Sequence, residues 1–441
     1  MILNRISLIR LFVFRRSIWN LYLVNFLIGI VFWIIYFPGF YSSDSFSAVK
    51  IAETGNFSNW GGLSWSVFVY YFSLRGTFIP FLILINLTIL IYSITFFSIQ
   101  FLGTKLGSVT ATGFTLSPLV FGFGNTLWHD VPFTAGMLLL SGALVGSLKL
   151  GGLKSKNLNY HLIASGILIT FRTNGIPTLV LLFFITTLIH RFRNFLIRSI
   201  LLVLTSSVVL TLSLALLLQQ SPISNVASQE WMRADISCYS ATEAGIFFIN
   251  EQLKPLNQST KWRSKLSCSG ISQVKLTPDE YSQSTSIVPR AWLSLLIHEP
   301  WFILETHLER NSYLLPLPIF GVKRIPFLHS TIEIEHARIY WRFPDLANFM
   351  RFPIRLVNLL SFILGWPGIW IAIMLGIYFR HKSDELKLLV VISFSLMIFL
   401  FIVGPIADGR YTIYVLFVGI ISLIKHLDSK FPKSKQKLDY A

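Results

Sequence analysis

Charge is what this sequence has least of. Asp, Glu, Lys and Arg make up 13% of its 441 residues, and 53% are hydrophobic; soluble domains carry about a quarter charged residues. A soluble chain of this composition would aggregate, whereas one embedded in lipid can expose its apolar surface. Acidic residues are the scarcest, 20 against 37 basic ones, for a net charge of +17. There are two cysteines, Cys238 and Cys268, which excludes a disulfide-dense scaffold. Also missing are GxxxxGK[ST], a GxGxxG following a strand, HExxH and GxSxG. ATP-driven transport, dinucleotide chemistry, zinc proteolysis and the common serine hydrolases therefore have no residues to stand on.

Long apolar runs are what the chain does have. About ten are long enough, or nearly so, to cross ~30 Å of hydrocarbon as helices: near 21–38, 78–102, 109–128, 131–149, 158–171, 174–190, 197–218, 353–379, 386–404 and 410–425. The expected fold is thus an all-α polytopic membrane protein. The fifth and sixth runs meet at Arg172-Thr173-Asn174-Gly175 and read either as two spans or as one broken helix. Arg5, Arg10, Arg15 and Arg16 precede the first run and no A-x-A-like site follows it, so it reads as an uncleaved span. With the N-terminus in the cytoplasm, the inner segments hold nineteen Lys and Arg and the short outer segments four, Lys50, Arg75, Arg172 and Arg410. That bias places both termini in the cytoplasm of an inner (plasma) membrane. The same positive charge, spread between apolar runs, reads as orientation signals and contacts to anionic membrane lipids rather than a nucleic-acid surface.

The organisation that follows is an N-terminal membrane module (1–218) with its first outer loop at 39–77, an outer segment (219–352), C-terminal spans (353–426) and a basic tail (427–441). Ser, Gln, Asn, Thr and Lys dominate 219–289, which reads as a small irregular insert. An amphipathic helix is expected over 290–313, with Trp292, Leu295, Leu296, Phe302, Leu304 and Leu308 apolar. Cys238 and Cys268 both fall in this outer segment, making them disulfide candidates, with two unpaired thiols as the alternative.

Four ionisable clusters mark the outer ends of spans: Asp44; His129-Asp130 after Trp128; Arg172 with Asn174; and Asp408-Gly409-Arg410-Tyr411. Charge beside hydrocarbon is expensive and by default indicates function. Each cluster also has a structural alternative. Asp44 and Asp130 would cap helices, Asp408 and Arg410 would pair with each other, and Arg172 would snorkel. Together, on one face, they suit a different task. A carboxylate can deprotonate a hydroxyl, guanidiniums can grip a lipid phosphate, and Trp60, Trp65 and Trp128 offer flat faces to a sugar.

In chain order these motifs resemble the GT-C superfamily, multi-span glycosyltransferases that use polyprenyl-phosphate-linked sugars. Its members carry an acidic residue in the first outer loop. Similar bacterial ones read Pro-Gly-Tyr-x-Ser-x-Asp-Ser there, against Pro38-Gly39-Phe40-Tyr41-Ser42-Ser43-Asp44-Ser45 here. A second acidic residue at the junction of the third and fourth spans is matched by Asp130, an Arg-x-Asn-Gly-like stretch by Arg172–Gly175, and a late Asp-x-Arg-Tyr by Asp408–Tyr411. Ile297–Phe302 resembles the helix placed ahead of the later spans. The likeness covers roughly 20–190 and, more loosely, 290–425; it departs at Asn59-Trp60-Gly61-Gly62-Leu63, where relatives have Asp-Trp-His-Pro-Pro.

The resemblance implies inverting transfer of a sugar from a lipid-linked donor to a glycan or lipid acceptor. It implies Asp44 as general base, Asp130 as a second acidic group, and Arg172 and Arg410 on the donor phosphate. Trp60, Trp65, His129, Asn174, Asp408 and Tyr411 would contact sugar or acceptor. No metal ligand is assigned and no cofactor is called for, although a divalent metal is compatible with the family. The rival classes are a lipid or glycan flippase and an O-antigen-type polymerase or ligase. A flippase buries its charges nearer the midplane and shows paired halves; neither feature is visible here.

Overall fold

The computed structural model describes residues 2–57, 62–151, 155–187, 193–219, 225–252, 278–311, 328, 341–403 and 409–430. These are helical almost throughout, and the chain is an all-α polytopic membrane protein. The helices of the first half are α1 (Ile2–Ile35), α2 (Ser43–Thr54), α3 (Leu63–Phe72), α4 (Ile79–Leu102), α5 (Thr104–Thr115), α6 (Pro118–Gly124), α7 (Asp130–Lys149), α8 (Lys156–Ile169), α9 (Gly175–Thr187) and α10 (Arg193–Leu218). There follow α11 (Asn225–Tyr239), α12 (Glu243–Gln252), α13 (Pro278–His298), α14 (Pro300–Asn311), α15 (Pro344–Met350), α16 (Phe352–Leu359), α17 (Ser361–Leu364), α18 (Pro367–His381), α19 (Asp384–Val403) and α20 (Ile413–Lys430).

The centre of the bundle is α7, packed by α4, α8, α19 and α20. Small residues let its neighbours approach, as in membrane helix pairs generally. A Cβ at Gly142 would lie 2.8 Å from the Phe96 ring of α4, and one at Gly136 would lie 2.9 Å from Leu168 of α8. Polar pairs fix the register. Ser141 of α7 and Tyr414 of α20 share a hydrogen bond of 2.7 Å, while Asn25 of α1 donates to Thr95 of α4 and accepts from Thr112 of α5. Outside this core, α1 exposes Trp19, Leu23, Leu27 and Val31, and α10 exposes Val209, Leu212, Leu216 and Leu217. Apolar faces of that kind require lipid.

About ten runs read as long enough, or nearly so, to cross the membrane, and the structure shows how their helices divide. Among the described residues five helices are long and apolar enough to cross a membrane: Ile18–Ile35, Ile79–Leu102, Asp130–Lys149, Asn194–Leu218 and Asp384–Val403. The run near 109–128 is a pair, α5 and α6, bent by 57° ahead of Pro118. The runs near 158–171 and 174–190 are separate helices of 14 and 13 residues, each about 20 Å long and shorter than the hydrocarbon core. Between them, Gly175 N–H bonds the Arg172 carbonyl in a tight turn. The run at 353–379 breaks into α16, α17 and α18, the last starting at Pro367. Proline and turn residues inside an apolar run end a helix without lowering its hydropathy, so composition overstates helix length.

The segment after α10 also differs from expectation. The stretch 219–289 holds α11, α12 and the start of α13, so its described part is helical, not irregular. The helix expected at 290–313 is two, with α13 ending at His298 and α14 starting at Pro300. A buried polar cluster docks this segment on the end of α19. Asp235 accepts from Trp292 Nε1 and His307 Nε2, both at 2.9 Å, and pairs with Arg310 at 3.0 Å. His307 Nδ1 and Asn311 Nδ2 both reach the Phe401 carbonyl. Cys238 is buried and disulfide-bonded; Cys268 lies outside the described residues.

Candidate active site

The end of α1 leads into the site. Phe40 N–H donates to the Asn125 carbonyl and Leu127 N–H to the Phe40 carbonyl, a short parallel bridge tying the loop after α1 to the turn before α7. Trp128 Nε1 donates to Ser42 Oγ at 2.7 Å across the same seam. Ser42 is the N-cap of α2, and Ser45 Oγ accepts from the Ser42 N–H at 3.0 Å. Asp44 therefore sits in the first turn of α2 without capping it. Asp130 begins α7 behind His129, so its side chain is equally free of the N-cap position.

What the carboxylates do instead is pair with arginines that arrive from the far parts of the chain. Arg410, in a short 3-10 turn ahead of α20, reaches Asp44 with Nη2 at 2.5 Å and Asp130 with Nε at 3.6 Å. Arg172, in the turn between α8 and α9, pairs with the other Asp130 oxygen. The two carboxylates thus flank one guanidinium, and Asp130 holds both arginines. Their side chains differ in access, 25% exposed for Asp44 against 1% for Asp130. Asp44 is the accessible carboxylate and Asp130 the buried one, which pairs with both arginines.

Aromatic rings complete the walls. Arg410 lies over the Trp128 ring at 4.8 Å, and Arg172 over the Phe133 ring at 5.8 Å. Trp65 packs edge-on to His129 at 6.2 Å and against Phe171. His129 Nε2 is 3.8 Å from Asp130 Oδ1. Burial first, then the Arg172 and Arg410 charges, hold the His129 imidazole well below its usual range. Gly62 positions α3 against this wall, because its φ of +97° and its closeness to the Thr170 carbonyl, 2.7 Å from a Cβ built there, admit no other residue without strain.

The structure thus brings together Asp44, Asp130, Arg172 and Arg410, with His129 and Trp65 beside them. Asn174 is not joined to the charged cluster; its backbone carbonyl starts α9 by accepting from the Thr178 N–H and hydroxyl. Trp60, Asp408 and the side chain of Tyr411 lie outside the described residues. Arg410 pairs with Asp44 and Asp130, and Trp128 lies against Arg410 and donates to Ser42. Ser42 and Phe133 are site residues that sequence reasoning missed; only the Ser42-x-x-Ser45 spacing carried a signal, that of a capping box. Among the described residues no group of three or more His, Cys, Asp and Glu side chains is placed to hold a metal ion.

A guanidinium carries five N–H donors, so one arginine can hold a carboxylate and present another edge to a second anion. The arrangement can therefore receive a phosphate beside a reachable carboxylate, at the rim of an apolar bundle. No protein-family model matches the chain, and no curated protein sequence does. A solved structure that it is similar to is the archaeal oligosaccharyltransferase AglB from Archaeoglobus fulgidus in complex with an inhibitory peptide and a dolichol-phosphate, at 11% identity and a TM-score of 0.46. The match covers 94% of this chain, which spans about half, 50%, of that longer one.

Proposed function

We propose that the protein is an inverting glycosyltransferase that moves a sugar from a polyprenyl-phosphate donor to a cell-envelope glycan or lipid acceptor. The observation that carries this reading is the pairing of a reachable Asp44 with Arg410, itself joined through buried Asp130 to Arg172. In the step envisaged, the acceptor hydroxyl attacks the anomeric carbon while Asp44 takes its proton. The bond from that carbon to the phosphate oxygen breaks with its electron pair, and the charge that remains on the lipid phosphate meets Arg172 and Arg410. A lipid phosphate is a good leaving group, so positioning and charge neutralisation supply most of the acceleration. Trp65 and His129 line the approach, and the prenyl tail lies along the apolar helices. The excess of Lys and Arg in the other set of loops supports a reading in which this site faces outward from the inner membrane and both termini are cytoplasmic.

The test is mass spectrometry of lipid-linked and envelope glycans from a deletion strain against wild type. The expected result is accumulation of a lipid-linked monosaccharide and loss of one sugar from an envelope glycan. Unchanged profiles in both fractions overturn the proposal.

A further inference from the structure

At the opposite end of the bundle lies a second polar site. The helix α7 separates Asp130 from Lys149 by about 28 Å, and near Lys149 the ends of α4, α18, α19 and α20 enclose a cleft of about 230 Å³. Phe101, Ile377 and Leu386 form its apolar wall; Ser383, Ser422, Ser429, Lys425, His381 and His426 supply its polar groups. Three features of this cleft point to an anion.

The first is charge. Glu385 pairs with Lys425 through one oxygen and lies 3.8 Å from Lys149 through the other, so one carboxylate faces two ammoniums. Arg380, Lys382, Lys387 and Lys430 add to the basic balance, against Asp384 and Asp428. The second is the start of α19, a 20-residue helix. Ser383 Oγ accepts from the Leu386 N–H there and the Ser383 carbonyl from the Lys387 N–H, and Ser383 and Leu386 both line the cleft, so the capped N-terminus of the helix borders it. The third is Ser422, a residue of the cleft lining that is 1% exposed and whose hydroxyl has no hydrogen-bond partner. A buried hydroxyl left unsatisfied costs about 1–3 kcal/mol, and a ligand oxygen would remove that cost. His381 Nε2 and His426 Nδ1, 2.7 Å apart, close the rim.

We propose that this cleft binds a phosphate group of net negative charge, that of an anionic lipid headgroup or a small phosphate and not of a zwitterionic lipid, separately from the glycosyl-transfer site and without resting on that reading. Its volume is below the ~300–1,000 Å³ of ordinary small-molecule pockets, which suits a headgroup or a small phosphate rather than a sugar chain. The apolar wall beside the polar groups suits a phosphate that carries a lipid stem.

The experiment measures thermal unfolding of the purified full chain in nanodiscs of phosphatidylcholine, of phosphatidylcholine with phosphatidylglycerol, and of phosphatidylcholine titrated with inorganic phosphate. The expected result is a higher unfolding temperature with phosphatidylglycerol. Loss of one hydrogen bond to a charged group in Ser422→Ala weakens the apparent affinity at least about tenfold. In lipid-free detergent the same variant is at least as stable as wild type, since it removes an unsatisfied buried hydroxyl. His381→Gln, at the rim, weakens the binding too. Stabilisation by phosphatidylglycerol alone identifies a lipid headgroup, and stabilisation by inorganic phosphate identifies a small anion; either supports the site. No stabilisation by either probe, or stabilisation unchanged in both variants, overturns it.

Discussion

Replacing Asp44 by Asn separates chemistry from architecture at the candidate site. The amide keeps the size of the side chain but lacks a comparably basic lone pair. Helix α2 keeps its N-terminus, because Ser42 and not Asp44 is the N-cap. Arg410 loses its 2.5 Å partner but retains Asp130 at 3.6 Å. The lost pair is partly exposed, 12% and 25% at its two side chains. The cost to stability lies between that of a surface pair and that of a charged hydrogen bond, about 1–2 kcal/mol. Loss of a general base lowers turnover by roughly 10²-fold or more, which is about 2.7 kcal/mol in the barrier. Asp130→Asn provides the contrast. That carboxylate is buried and serves two arginines, so its removal costs about 3–5 kcal/mol of stability, and its activity loss follows loss of folded protein. Transfer from a lipid-linked donor by purified protein, measured with thermal unfolding of the same samples, distinguishes the two. Full complementation of a deletion strain by Asp44→Asn at native expression would refute Asp44 as base and most of the glycosyltransferase reading with it.

The remaining predictions concern neighbouring residues. His129 is held neutral in the fold, with its pKa lowered by burial and two arginines. The unfolded chain takes up a proton at His129 near pH 6.5, so stability is retained above that value and falls as pH drops below it. Unfolding temperatures of wild type and His129→Asn between about pH 7.5 and 5 should converge at the acid end; parallel curves would refute the assignment. Arg172→Lys keeps the charge and loses the planar fork, so KM for the lipid donor should rise about tenfold or more while the protein still folds; an unchanged KM removes Arg172 from the phosphate contact. Gly62→Ala forces a side chain into a left-handed backbone and against the Thr170 carbonyl, and should cost more than about 1 kcal/mol, read as a lower unfolding temperature with a concurrent loss of transfer.

Much of the fold was legible because lipid imposes a simple rule. A chain so apolar and so poor in charge must satisfy its backbone internally, and helices do that from local sequence alone. Membrane class, helical content and the positions of α4, α7, α10 and α19 followed from hydropathy. Helix ends did not. The breaks before Pro118 and Pro367 and the turn at Arg172–Gly175 interrupt runs whose hydropathy never drops, so hydropathy alone left the helix ends undefined. The helical part of the insert at 219–289 escaped because its polar residues hide a pattern that is stabilised only when α11, α13 and α14 meet around Asp235.

At the candidate site, the sequence by itself determined which residues carried unusual charge: Asp44, Asp130, Arg172 and Arg410 each stand beside an apolar run, where an ionised group is expensive. The same letters admitted capping, snorkelling or local pairing as explanations. The tertiary structure set capping aside, by placing Ser42 and His129 at the N-caps, and brought Arg410 onto Asp44 and Asp130, more than 360 and 270 residues earlier. It also decided which carboxylate is reachable and which is buried. Charge in an apolar context is visible one residue at a time, whereas a partner is set by how α2, α7 and the turn before α20 pack, and Coulomb attraction acts through space rather than along the chain.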